Sequence, residues 1–402
     1  MKLDKKKTLL MWTILIIALV QMPALALTPA INLIQTKAFP DRTLADVQTA
    51  LASTNLISPV VSILAAVLIN RGVFTKKGVV VVGLLTLSLT GLLAVLLHTA
   101  FWNLYLLSVT LGIATGLFMT NAFGLLFDNF TDDQRQTIAG YQTSCINAGG
   151  ISMGLLGGVL ATAMWYGGYL ILLIGLPVAI LALFTVPNYK SPSAKSSGES
   201  TEKSRLDPGV IYYAVLACIF MAIYGVGGNN ISTHIRQNIP NVDDAAMAGI
   251  AVAVQMGGGV ISGLFFGKLS ARLGDKIMAV ACFALFAGFL IVSLFASSLV
   301  MILIGVFVAG MSLSMMLPRC TFAVSTLVDK STSAWATVIA LSVAPSLGGF
   351  LSPQVFTRLT IALFGDLTVY RYGFVAATVL VFGLVIVFLT MRRAKTAPAA
   401  SK

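Results

Sequence analysis

Twelve long apolar runs, separated by short polar loops, occupy almost the whole of this 402-residue chain. Such runs leave few options. About 20 consecutive apolar residues span the hydrocarbon core of a bilayer as a helix, because a helix satisfies its backbone N–H and C=O groups within the segment. Composition agrees: 57% of the residues are hydrophobic and 10% charged, where a soluble domain carries about 25% charged residues. The expected fold is an all-α membrane protein with twelve transmembrane helices, near 9–30, 47–70, 78–98, 102–127, 137–163, 168–187, 209–231, 246–267, 277–296, 299–322, 334–363 and 369–391.

The loops alternate between two sides. One side collects the basic residues: Lys2 and Lys5–Lys7, Arg71 with Lys76 and Lys77, Arg135, Lys190 to Arg205, Lys268 with Arg272 and Lys276, Lys330, and the tail from Arg392. The other side holds Lys37, Arg42, Arg236 and Arg371. The positive-inside rule then places both termini in the cytoplasm, with the chain a multi-pass protein of the plasma (cell inner) membrane. The net charge of +12 is spread over several loops, so it reads as a topology signal facing anionic lipid and predicts no nucleic-acid partner. Residues 1–27 have the outline of a signal peptide, but the apolar run continues through Pro29 to Ile31, which favours a retained first helix. Cys145, Cys218, Cys282 and Cys320 lie inside apolar runs without metal-ligand spacing, so no metal or other cofactor is expected.

The polar stretch 188–208, rich in Ser, Lys and Glu, reads as a cytoplasmic linker. It divides the chain into 1–187 and 209–391, six runs each, followed by a tail at 392–402. The halves look like copies: Arg71 and Arg272, and Asp128 and Asp329, share one offset of 201 residues. The loop Gly267-Lys268-Leu269-Ser270-Ala271-Arg272-Leu273-Gly274-Asp275-Lys276 resembles the G-x-L-x-D-R-x-G-R-K signature of the major facilitator superfamily. It departs from the signature at Ala271, where the family has Asp, and at Asp275, where the family has a basic residue. Arg71-Gly72 through Lys76-Lys77 is a more degenerate first copy. The resemblance implies two pseudo-symmetric six-helix bundles. These would rock around a central site by alternating access, with the loops of Arg71 and Arg272 acting as latches.

Small residues recur four apart in two runs, which lets helices approach closely in lipid. The fifth run has Gly149, Gly150, Gly154, Gly157 and Gly158. The eighth has Gly257, Gly258, Gly259, Gly263 and Gly267. The resemblance implies that these stripes face each other, which would make Gly150, Gly154, Gly158, Gly259, Gly263 and Gly267 interface positions. Gly154 to Gly158 is also similar to a glycine motif of drug and proton antiporters, without its proline. Helix breakers collect at Pro23 and Pro29, at Gly225, Gly227 and Gly228, and at Pro345, Gly348, Gly349 and Pro353, where bends or solute contacts are expected.

No Asp or Glu lies deep in a run, so simple intramembrane proton coupling is not predicted. One cation, Arg319, is embedded in the tenth run, at a cost of at least ~2.5 kcal/mol unless paired or wet. It reads either as an anchor for a carboxylate or phosphate, or as a side chain that snorkels or meets Asp329. The other embedded polar groups are amides. Of these Gln21, Asn55, Gln142, Asn229, Gln255 and Gln354 fall on runs that border the central cavity in the superfamily, with Tyr141 and Tyr224 as aromatic candidates.

The expected function is a secondary transporter, working as a monomer, for a small organic solute, with an organic anion favoured by Arg319. Drug efflux and carriage of neutral solutes are rival readings. A non-transporting receptor or scaffold is the alternative class, disfavoured by loops too short to hold a docking domain. An enzyme is not expected: Ser152 in Gly150-Ile151-Ser152-Met153-Gly154 has no histidine on its own run to act as base. No phosphate-binding G-x-x-x-x-G-K-[ST] loop is present, so ATP is not used directly.

Overall fold

A computed structural model of the protein describes residues 4–189, 208–327 and 342–396. Most of the linker, Asp329, Lys330 and the end of the tail lie outside the described residues. Among those described the chain is helical nearly throughout, with no β-strand. The first half holds α1 (Lys5–Leu19), α2 (Leu44–Asn70), α3 (Lys76–Leu96), α4 (Phe101–Asn129), α5 (Asp132–Ala163) and α6 (Gly167–Thr185). The second holds α7 (Pro208–Asn238), α8 (Asp244–Leu273), α9 (Lys276–Leu294), α10 (Leu299–Leu327), α11 (Ala344–Ser352) and α12 (Thr368–Thr396). Ten of these are each long and apolar enough to cross a bilayer. α1 and Pro23–Ala38, joined across a 43° bend, make an eleventh if the pair is counted as one span. The run expected at 334–363 begins outside the described residues, and its described part contains α11.

Local sequence fixes the helix starts. Thr43 and Asp46 form a reciprocal cap at the start of α2, with Asp46 N donating to Thr43 Oγ1 and Thr43 N to Asp46 Oδ2. Thr75 Oγ1 accepts from Gly78 N at the start of α3, and Asp243 Oδ1 from Ala246 N at the start of α8. Proline sets the breaks. Past Leu19 the chain runs through 3₁₀ turns at Pro23–Ala26 and Thr28–Ala30 and a π turn at Ile34–Ala38. Past α11 it makes a π turn at Pro353–Thr357 before Arg358–Phe364. The break expected in α7 is absent, and that helix runs unbroken from Pro208 to Asn238. Gly225 and Gly227 keep their N–H groups, so the ladder continues. Their missing side chains instead make room for Ser352 and for the Phe289 ring.

Two compact units emerge, one of Met1–Arg205 with Val242–Ala253 and the other of Leu206–Asn241 with Val254–Lys402. The first turns of α8 thus belong to unit 1 and the rest of that helix to unit 2. Within the units the packing repeats. α1 packs on α5 as α7 does on α11; α3 packs on α4 and α6 as α9 does on α10 and α12. α2 packs on α4, as α8 does on α10 through Gly258 and Phe307. Left-handed glycines follow both α2 and α8, Gly72 at φ 72° and Gly274 at φ 54°. Ile14, Leu84, Phe118 and Ile138 meet in the core of unit 1. Large apolar side chains such as Phe184 (81% exposed) and Leu264 (77% exposed) point outward, as lipid-facing residues do.

Candidate functional site

Unit 2 gathers uncharged polar side chains around the middle of α7. Tyr224 is buried beside the Gln255 side chain of α8. Its hydroxyl faces the Gln255 amide. Ser352, at the end of α11, is fully buried with its Oγ unpaired among the described residues. That oxygen lies where a Gly225 side chain would begin, and Asn229 Nδ2 borders the same spot. Gln354 follows in the π turn. Two pairs thus form along α7: the candidates Tyr224 and Gln255, and the candidate Asn229 beside a serine that the pattern of amides did not reveal. A buried hydroxyl without a partner costs free energy, and Ser352 Oγ beside Asn229 is such a group.

Arg319 is paired. Its Nε and Nη2 donate to Asp275 Oδ1 at 2.8 and 2.7 Å, and Nη1 reaches Ser270 Oγ at 3.4 Å. Tyr213 donates to the other oxygen of the same carboxylate at 2.9 Å. Asp275 joins α8 to α9, so Arg319 reaches the loop end of its helix and not its middle. The expected partner, Asp329, lies outside the described residues.

Unit 1 carries the counterpart with the charges exchanged. Lys76, at the start of α3, donates to Asp128 Oδ2 on α4 at 2.7 Å. Tyr189 donates to the same oxygen at 3.0 Å. Burial, and then the Asp128 carboxylate, push the Tyr189 phenol well above its ordinary pKa, so it remains a donor.

A second paired cation, placed by the loop pattern at the surface, is fully buried. Arg371 on α12 donates to Asn230 Oδ1 at 2.6 Å, Thr360 Oγ1 at 3.1 Å and Asp366 Oδ1 at 3.0 Å. His234, two residues before Arg236 on α7, meets Thr368 Oγ1 at 2.9 Å.

The candidates of unit 1 do not join one cluster. Gln21 and Gln142 are buried with amide atoms unpaired, Asn55 is half-buried, and Tyr141 is exposed. An acid that looked peripheral is also buried there: Asn32 Nδ2 donates to Asp244 Oδ2 at 2.7 Å.

A family model described as Major Facilitator Superfamily matches residues 8–243. The chain belongs to this superfamily. Solved structures of the same fold include the nucleoside transporter NupG, at 13% identity and TM-score 0.74, covering 95% of this chain and 99% of that one. The peptide transporter POT in complex with sulfate matches at 14% identity and TM-score 0.75, covering 97% and 99%. A bacterial homolog of the human lysosomal transporter Spinster, inward-facing and occupied, matches at 18% identity and TM-score 0.69, covering 97% and 98%. No curated protein matches the chain.

Within unit 1 of this superfamily member the glycines of α5 meet the first turns of α8. Gly150 is buried on α5. A Cβ on Gly158 would lie 2.7 Å from the Ala245 carbonyl oxygen, and one on Gly154 2.7 Å from a Val252 methyl. Gly249 of α8 faces Gly158. Gly258 and Gly259 lie against α10, Gly263 only touches Ser314, and Gly257 and Gly267 have open space. Packing thus accounts for Gly154 and Gly158 without the antiporter motif. Arg71 and Arg272 are both exposed. Gly249→Val and Gly158→Val should each lose about 1–3 kcal/mol through overpacking, read as a lower melting point, while Gly257→Ala and Gly267→Ala should melt with the wild type. Equal losses in all four would refute the close approach.

Proposed function

We propose that this superfamily transporter carries a small, uncharged, polar organic solute by alternating access, with Tyr224, Ser352, Gln255 and Asn229 among its solute contacts. The reading places the protein in the plasma membrane with both termini cytoplasmic, as its basic loops favour. One observation carries it: the polar side chains along α7, α8 and α11 are hydroxyls and amides, and the buried Ser352 hydroxyl beside Asn229 lacks a partner among the described residues. The pairing of the Arg319 guanidinium with Asp275 weighs against the anion reading. Nucleosides, carried by the nucleoside transporter NupG with which this chain shares its fold, exemplify the kind of solute meant. That likeness speaks for the fold alone.

The test is uptake into liposomes containing the purified protein. Sugars, nucleosides and other uncharged polar solutes would be compared with carboxylates and lipophilic cations. Tyr224→Phe and Ser352→Ala each remove one neutral hydrogen bond, worth roughly 0.5–1.5 kcal/mol. Each should weaken solute affinity by about two- to tenfold and leave the melting point of the empty protein unchanged. Uptake confined to anions, and indifferent to both variants, would overturn the proposal.

A further inference from the structure

Unit 1 has a groove at its loop end whose lining is both cationic and apolar. It measures about 540 Å³ and lies between the start of α1 and the end of α6. Lys6 and Lys7 line one part of it, Leu9, Phe184, Val186 and Pro187 form an apolar wall, and Asn129 and Thr185 add polar groups. Both lysines are exposed, and neither has an acidic partner among the described residues. Leu9 (51% exposed) and Phe184 (81% exposed) stand open beside them. An apolar wall next to an unpaired cation pair, at the end of two membrane-spanning segments, matches one kind of molecule. Its anionic head must sit at the water boundary, and its chain must run down a lipid-facing surface.

We propose that this groove is a retention site for one anionic phospholipid, its phosphate between Lys6 and Lys7 and its acyl chain along Leu9 and Phe184. Charge complementarity selects the headgroup: each lysine near a membrane surface contributes about 1 kcal/mol toward an anionic lipid. The apolar wall selects a lipid over free phosphate, which would gain nothing from Phe184. The site is independent of the solute reading, since it shares no residue with the cluster around Tyr224.

The experiment is native mass spectrometry of the full-length protein released from mixed bilayers of phosphatidylglycerol and phosphatidylcholine. One phosphatidylglycerol should be retained per chain, in preference to phosphatidylcholine. The double variant Lys6→Gln/Lys7→Gln should reduce that retention by roughly 30-fold, and either single variant by about fivefold. Phe184→Ser, at an exposed position where folding is not at stake, should also lower it. Equal retention of the two lipids, or unchanged retention in the double variant, would overturn the proposal. Full displacement by inorganic phosphate would overturn it as well, since that would reduce the site to an ion-binding patch.

Discussion

Replacing Asn230 by leucine should destabilise the protein by about 3 kcal/mol, because it strips a partner from a guanidinium that has no access to solvent. Arg371 holds three acceptors, and Asn230 supplies the shortest bond. The change is nearly isosteric, so lost packing volume is not the cause. A second variant separates the explanations. Arg371→Met combined with Asn230→Leu removes the charge together with its need for a partner, and it should recover most of the loss. The acceptors left behind tolerate this. Thr360 Oγ1 keeps its own bond to the Phe356 carbonyl at 2.6 Å, and the Asp366 side chain is 56% exposed and can turn to water. Melting of the three purified proteins in one detergent checks this. A single variant as stable as the wild type would mean that the guanidinium is served by water. A double variant worse than the single would mean that the arginine stem itself supports the core.

What could be read from the sequence depended on how local each cause was. The bilayer, the repeat and the breaks in the first and eleventh spans follow from hydropathy and proline, which act over a few residues. Gly225 and Gly227 looked like a third break, but a glycine permits a bend without forcing one. The charged groups were harder. Arg371 looked like one basic loop residue among several, and nothing near it marks Asn230, 141 positions away, as its partner. Arg319 was conspicuous, yet Asp275 is 44 positions off and stands where the signature leads one to expect a basic residue. The solute cluster was half legible. Amides and tyrosines in apolar runs stand out, whereas a serine such as Ser352 is common in membrane helices and becomes notable only once its oxygen is seen to be buried and unpaired.

Exchanging the charges of Asp275 and Arg319 should keep most of the stability that removing either charge alone loses. Unit 1 supplies the precedent, since Lys76 and Asp128 place the cation at the start of α3 and the acid on α4. In unit 2 the acid precedes α9 and the cation sits on α10. The pair therefore does the same work in either polarity, pinning one helix start to the loop end of the next helix. Asp275→Ala leaves Arg319 without its carboxylate and Tyr213 without its acceptor. Hydrogen bonds to a charged group contribute about 1.5–3 kcal/mol, and the side chains are only 15% and 27% exposed. A loss of about 2 kcal/mol is expected for Asp275→Ala and for Arg319→Gln alike. Asp275→Lys with Arg319→Asp should regain at least half of it. The same melts, repeated with solute, distinguish a structural pair from a solute anchor. A structural pair lowers the midpoint with or without ligand and leaves the ligand-induced rise intact. An Arg319→Gln protein that melts like the wild type but no longer responds to an anionic solute would restore the anion reading and displace the uncharged cluster as the centre of recognition.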